Sequence, residues 1–216
     1  KKAKGGDKEA KLTLELVTRA KALLEDGKPA RLTKRAAEEE KAFGMLQLLT
    51  ALPVLYVCNV NENDAAAGNA HTARVQERAK LEHAACVIIC AQLEAEIAAL
   101  SDDEQTEFLA TVGLEEPGLT KLIHAGYDLL GLQTYFTVGP KEARAWTIQK
   151  GWTAPQAAGV IHGDFEKGFI RAETISFVDY ITFKGESGAK EAGKMRLEGK
   201  DYIVKEGDVM HFRFNA

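Results

Sequence analysis

No apolar run in the 216-residue sequence approaches the roughly 18 residues that a membrane-spanning helix needs, and no signal-peptide pattern is present. A membrane partner is therefore not expected. Cysteine is scarce as well. Three residues, an odd number with none in a Cys-x-x-Cys pair, argue against a disulfide scaffold and lead to the expectation of a reducing compartment, the cytoplasm. Composition is otherwise ordinary for a globular protein, with 45% hydrophobic and 28% charged residues, so the length is expected to fold as one or two domains.

What the sequence does have is an apolar run with a polar end. Residues 53–62 read Pro53-Val-Leu-Tyr-Val-Cys-Asn59-Val60-Asn61-Glu62. Four consecutive apolar residues before Cys58 predict a strand covered on both faces, as in a parallel α/β sheet. Ligands of open parallel sheets lie just beyond the carboxyl ends of the strands, where Asn59, Val60, Asn61 and Glu62 fall. Their amide and carboxylate groups suit a flat, hydrogen-bonding ligand such as a nucleobase. A second run, Ala85-Cys-Val-Ile-Ile-Cys90, ends in Ala91-Gln92 and repeats the pattern. Between them, residues 69–83 predict a helix with Val75, Ala79 and Leu81 as apolar positions, completing one parallel βαβ unit. Two buried strands do not make a sheet, which usually holds at least about four. The sequence also begins inside a charged helical pattern without an initiator Met, so further strands are expected upstream of Lys1.

The net charge of −4 conceals an asymmetry: residues 1–35 hold eleven Lys or Arg against five Asp or Glu, a balance of +6, which leaves −10 for the rest. A basic segment on an acidic body is a candidate nucleic-acid contact, because cations gain by displacing counterions from phosphates. Lys8, Lys11, Arg19, Lys21, Arg31, Lys34 and Arg35 would supply it. The alternative is a solvated helix face laced with i,i+4 pairs, which the segment alone favours about two to one.

Three parts follow along the chain. Residues 8–26, with Leu12, Leu16, Val17, Ala20, Leu23 and Leu24, and residues 34–51, with Ala37, Phe43, Leu46, Leu48 and Leu49, predict two amphipathic helices. Gly27-Lys-Pro29 breaks between them, implying a helical hairpin. After the βαβ unit, Ser101-Asp-Asp-Glu104 is a capping box opening a helix to about Val112. Pro117 opens another, which stops at Gly131. Ile97, Leu100, Phe108, Leu109, Leu119, Leu122, Ile123 and Leu129 are expected in the core. From Leu132 the character changes: a hairpin across Gly139-Pro140, a helix around 154–162, a helix around 188–194, and strands at 170–177, 179–183, 201–204 and 209–214 describe an α+β module. Its order resembles a β-grasp fold, and it holds no paired catalytic groups.

These residues resemble the Obg-like ATPases of the YchF subfamily. The most specific blocks are Leu132-Gln-Thr-Tyr-Phe-Thr137, Glu142-Ala-Arg-Ala-Trp-Thr147, Ala154-Pro-Gln-Ala-Ala-Gly-Val-Ile-His162, Asp164-Phe-Glu-Lys-Gly-Phe-Ile-Arg171 and Gly207-Asp-Val-Met-His-Phe-Arg-Phe214. The resemblance implies a coiled-coil arm over residues 1–51, the end of a P-loop G-type nucleotide-binding domain over 52–131, and a TGS domain of β-grasp, ubiquitin-like fold over 132–216. It makes Asn59-Val60-Asn61-Glu62 the N-x-x-E base-recognition motif, where related GTPases carry N-K-x-D. An Asp there accepts from the N1 and N2 donors of guanine, whereas adenine offers N6 and N7, which suit an Asn side chain. Asn59 is accordingly assigned to the adenine edge and Val60 to the ring, while Glu62 shapes the pocket. Cys90, Ala91 and Gln92 back the base. Asn61 stands where an acidic residue is common, and Gly163 where Thr is common.

The cofactor implied is ATP with Mg²⁺, and the implied partners are an adenine nucleotide and the ribosome or its RNA, without DNA specificity. The family's phosphate-binding loop is missing: no G-x-x-x-x-G-K-[ST] occurs in the sequence, and the Mg²⁺ ligands are expected upstream of Lys1. Phosphoryl transfer depends on positioning phosphates and Mg²⁺, so this chain alone is expected neither to hydrolyse nor to bind ATP tightly. Two other readings stand beside this one. One is a stand-alone RNA- or protein-binding module in which Trp146, Phe165, Phe169, Phe212 and Phe214 could stack on bases. The other is an enzyme working through His83, Cys86, Cys90, His162 and His211, against which the spacing fits no common zinc pattern.

Overall fold

In a computed structural model, which describes residues 5–215, α1 spans Lys8–Glu25. Asp7 caps it by accepting from the Ala10 N–H at 3.1 Å. Gly27, with φ +69°, ends it in the left-handed conformation, as its place in the sequence predicts. The expected second helix over 34–51 does not form. That stretch breaks into 3-10 turns at Ala37–Glu39 and Leu49–Ala51 around a single turn of α-helix, α2, at Glu40–Gly44. Tertiary bonds decide this over local propensity. The Thr50 hydroxyl accepts from the Ala30 N–H at 3.1 Å, and the Arg19 guanidinium grips the Glu39 carboxylate at 2.6 and 3.1 Å. Gln47 at φ +50° turns the chain so that Phe43 and Leu46 collar Leu16 and Ala20. A hairpin of two long helices is therefore absent among the described residues.

The βαβ unit forms as expected. Strand β1 (Leu55–Asn59), helix α3 (Ala70–Leu81) and strand β2 (Ala85–Ile89) give a parallel pair in register from Leu55↔Ala85 to Asn59↔Ile89. Both-face burial of the strands is not reached, however, since Val57 is 45% exposed, and Leu81 of α3, expected as an apolar contact, is 74% exposed. Three helices follow, α4 (Ala91–Ile97), α5 (Asp102–Thr111) and α6 (Gly118–Leu130). Cys90, Leu93, Ile97 and Leu109 form a small core, whereas Leu119 and Ile123, expected inside, are half exposed.

The chain divides after Leu129 into two compact units. The second is a five-stranded mixed sheet. Its elements run β3 (Leu132–Val138), β4 (Ala143–Gln149), α7 (Ala154–Ile161), α8 (Gly163–Lys167), β5 (Phe169–Ser176), α9 (Phe177–Thr182), α10 (Glu186–Glu191), β6 (Arg196–Glu198) and β7 (Asp208–Phe214), and the strand order is β4-β3-β7-β5-β6. Ala154, Ala157 and Ala158 are fully buried, which lets α7 lie close against Tyr135, Phe169 and Phe212. Of residues 179–183, predicted as strand, 179–182 belong to α9 and Phe183 closes it, because the Ser176 hydroxyl caps the helix by accepting from the Asp179 N–H at 3.1 Å. The strand expected at 201–204 reduces to one bridge, Thr153↔Ile203.

Candidate functional site

The two polar strand ends meet. Asn59 closes β1, and the Val60 N–H donates to the Ile89 carbonyl at 2.9 Å, carrying the parallel ladder one residue further. Asn61 then leads into a 3-10 turn at Glu62–Asp64. On the neighbouring strand, buried Cys90 precedes α4, whose first residues Ala91 and Gln92 are exposed. The Ala91 N–H donates to Asn59 Oδ1 at 3.0 Å. A backbone N–H can only donate, so this bond fixes which way the Asn59 amide points and leaves the Nδ2 hydrogens without a partner among the described residues. Asn59, Asn61 and Glu62 are exposed and Val60 is half-buried, so among the described residues no neighbouring side chain closes over the strand end. The arrangement can hold an amide edge rigidly beside an apolar contact and a carboxylate.

The loop after Glu62 is shaped by its own bonds. Asn69 Nδ2 donates to Asp64 Oδ2 at 2.7 Å, and Asn69 Oδ1 caps α3 by accepting from the His71 and Thr72 N–H groups at 2.9 and 3.1 Å. Gly68 sits at φ +73°, and a Cβ there would lie 2.5 Å from Thr72 Oγ1 and 2.8 Å from Ile88 Cδ1. Gly68→Ala is thus expected to destabilise this unit by about 1–3 kcal/mol, read as a lowered urea midpoint at unchanged slope. On the far side of the site, the Glu94 carboxylate accepts from the Gly118 and Leu119 N–H groups at 2.7 and 2.9 Å, tying α4 to the start of α6.

The basic candidates do not form a stripe. Arg31 is half-buried against Glu82, with 14% of its side chain exposed, and Arg35 pairs with Glu40 at 3.0 Å while its guanidinium lies 4.2 Å from the centre of the Phe43 ring. Arg19 pairs with Glu39, and Lys21 with Glu25 at 3.3 Å in the i,i+4 manner. Lys8, Lys11 and Lys34 have no carboxylate partner among the described residues, and Lys1, Lys2 and Lys4 lie outside them. Most of the arginine charge is committed to holding α1 and its neighbours together.

The His and Cys residues assemble no reactive centre. No group of three or more metal-ligating side chains occurs among the described residues. Cys58 and Cys86 lie with sulfurs 3.9 Å apart on one face of the β1–β2 pair, and burial, followed by the neighbouring Cys58, pushes the Cys86 thiol up to about 11. A thiol in that state is a poor nucleophile near neutrality. His162 Nδ1 accepts from the Asp164 N–H at 3.2 Å, a capping role, and His211 lies on the sheet beside Glu173.

Of the aromatic residues, Phe169 and Phe212 are core, and Phe212 joins Trp146, Phe165 and Phe214 in lining a cavity of about 480 Å³. The period-two placing of Phe212 and Phe214 on one strand signalled a shared face. That the face runs beyond the core into an open groove depends on where α8 packs. Within the Glu82 cluster only the i,i+4 spacing of Arg78 and Glu82 was a local signal; Arg31 and Tyr56, 51 and 26 residues from Glu82, had none.

Residues 132–215 match the family YchF-GTPase_C, described as a protein of unknown function (DUF933). Over all 216 residues the chain is 58% identical to the ribosome-binding ATPase YchF of Escherichia coli O157:H7, covering 59% of that protein. It is 50% identical over 218 aligned residues to the Bacillus subtilis protein of the same name, covering 60% of it. The chain thus spans about three-fifths of the length of the curated relatives it matches. Among solved structures, the Schizosaccharomyces pombe YchF GTPase superposes with a TM-score of 0.80 at 32% identity, over 98% of this chain and 56% of that one.

Proposed function

The chain belongs to the YchF family, and on that premise we propose that it supplies the base-recognition edge of a nucleotide-binding, ribosome-associated ATPase of the Obg-like type. The observation that carries the reading is the bond from the Ala91 N–H to Asn59 Oδ1, which presets the amide at an open strand end. In this reading Asn59 Nδ2 donates to N7 of adenine, and the second lone pair of Oδ1 accepts from N6. Val60 packs on the ring, and Glu62 occupies the place of the Asp that selects guanine in related GTPases. Cys90, Ala91 and Gln92 form the wall behind the base.

The residues present fit a base and not a triphosphate. No phosphate-binding loop occurs in the sequence, so no hydrolytic step is assigned to these residues, and ATP and Mg²⁺ would be held in concert with other parts of a complete protein. Residues 1–51 are read as the arm in a shortened form, 52–131 as the end of the nucleotide-binding domain and 132–216 as the TGS domain. The strand order β4-β3-β7-β5-β6, with α7 between two strand pairs, supports a β-grasp assignment. The ribosome is the proposed partner because the relatives are named for binding it. A cytoplasmic location agrees with that proposal, and no helix among the described residues is long and apolar enough to cross a membrane.

The test is made in a complete family member carrying these residues. Asn59→Ala is expected to weaken ATP binding by about tenfold or more, following the 1–3 kcal/mol of a bidentate contact. Glu62→Asp is expected to raise GTP affinity relative to ATP. Unchanged ATP affinity in a folded Asn59→Ala protein overturns the assignment.

A further inference from the structure

The β4 edge of the five-stranded sheet carries a second binding surface. In the β3–β4 ladder the Lys150 N–H donates to the Gly131 carbonyl at 2.7 Å and the Gly139 N–H to the Glu142 carbonyl at 2.9 Å. With the register Tyr135↔Trp146 between them, the hydrogen-bonded residues of β4 are Glu142, Arg144, Trp146 and Ile148. The backbone groups of Ala143 and Ala145 therefore point away from the sheet, and among the described residues β4 has a neighbouring strand on one side only. Edge strands are normally blunted by Pro, a bulge or a charge. Here the seven pairs run without a register shift, and both outward-bonding residues at this end are exposed alanines.

The alternate residues of the same strand face the groove. Trp146 is fixed there by its Nε1–H bond to Thr137 Oγ1 at 2.8 Å, beside Phe165 and Phe214, whose rings stack with centres 3.8 Å apart. The Arg144 guanidinium lies 4.1 Å from the centre of the Trp146 ring and has no carboxylate partner among the described residues. Lys141 stands at the lip, also unpaired, facing a single acidic residue, Glu142. An unpaired edge, an apolar groove beside it and a net positive rim lie within six residues of chain, from Lys141 to Trp146.

We propose that β4 is a docking edge for an extended, acidic segment of a partner protein, which adds to the sheet as an antiparallel strand. The backbone of Ala143 and Ala145 would exchange hydrogen bonds with the incoming strand, and pockets on alternate positions would supply specificity. The residue opposite Trp146 is apolar and enters the groove. Two positions later in the partner, the residue opposite Arg144 is Asp or Glu. The recognised pattern is apolar-x-acidic, read from N to C terminus. A protein strand is favoured over an RNA strand because the groove walls are mostly apolar and the free backbone edge has no complement in a nucleic acid.

The full 216-residue chain, ¹⁵N-labelled, is titrated with capped nine-residue peptides of alternating Thr and Val whose centres read Leu-Thr-Glu, Glu-Thr-Leu or Leu-Thr-Lys, and separately with a ten-nucleotide uridine oligomer. The Leu-Thr-Glu peptide is expected to shift the Ala143 and Ala145 amides and to bind about fivefold more tightly than Leu-Thr-Lys. Ala145→Pro removes an outward N–H without removing a β3–β4 bond, and is expected to weaken binding by more than about tenfold. Arg144→Glu, which leaves every backbone bond in place, should reverse the Glu-over-Lys preference. The proposal is overturned by no shift at Ala143 and Ala145 up to ~1 mM peptide. It is equally overturned by binding that Arg144→Glu leaves unaltered, or by the uridine oligomer alone saturating these amides.

Discussion

Replacing Glu82 by Ala is expected to destabilise the first unit by about 3–5 kcal/mol, because it strands a buried cation. The Glu82 side chain is 7% exposed, ion-paired to Arg31 and Arg78, and accepts from the Tyr56 hydroxyl at 2.9 Å. The Arg31 side chain is itself only 14% exposed, and its Nε lacks a partner among the described residues, so losing the carboxylate leaves a poorly hydrated guanidinium without its counter-charge. A urea titration of Glu82→Ala beside Arg78→Ala separates the effects, since Arg78 is 61% exposed and its loss should matter far less. The pH dependence has a definite sign. Burial pushes the Glu82 carboxyl up, but the hydrogen bonds from Tyr56 and Arg78 and the charges of Arg78 and Arg31 outweigh it, and the group titrates below its ordinary 4.5. A depressed folded pKa stabilises above the unfolded value and is lost as pH falls through the folded one. The stability gap between wild type and Glu82→Gln should therefore be full above pH 4.5 and close below it. A gap that stays constant as the solution is acidified well past that point would show that the carboxylate charge is not what stabilises the cluster.

The second unit should be most sensitive at Tyr135. Its ring is wholly buried, meets Phe212 edge-on at 5.8 Å, and its hydroxyl donates to the Ala157 carbonyl at 2.9 Å. Tyr135→Ala removes ring and bond together, and a loss of about 3–5 kcal/mol is expected in thermal or urea unfolding. Tyr135→Phe keeps the ring and should lose only about 1 kcal/mol. Burial also pushes the Tyr135 hydroxyl well above its ordinary 10.0. Because the unfolded chain releases that proton first, stability should hold below pH 10 and fall above it. Tyr202, raised by burial and then by the Asp208 hydrogen bond, contributes to the same alkaline limb. Tyr135→Phe should accordingly make the limb shallower without abolishing it. An unchanged slope would place the titration elsewhere.

How much was legible in the sequence varied with the range of the forces involved. Asn59 and Ala91 could be identified as neighbours of a strand end because a continuous apolar run and its polar stop are written in consecutive residues. The bond that makes Asn59 rigid could not, since it joins residues 32 apart in the chain. Arg31 read as a phosphate contact because charge counting cannot see that Glu82, 51 residues away, lies beside it. Likewise residues 179–183 read as a strand, whereas a Ser176 cap and an exposed helical face won, leaving Ile181 59% exposed.

The sequence by itself determined the elements whose signals are local: the first helix with its stop at Gly27, the βαβ unit, the capping box at Ser101, and the hairpin across Gly139-Pro140. Only the tertiary structure decided that residues 34–51 fold as short turns, that Arg31 pairs with Glu82, and that the β4 edge lies open beside an aromatic groove. Helix caps and apolar periods act over a few residues and are written where they act. Ion pairs, collars of apolar side chains and free sheet edges join residues distant in the chain, so they exist only once folding has brought those residues together.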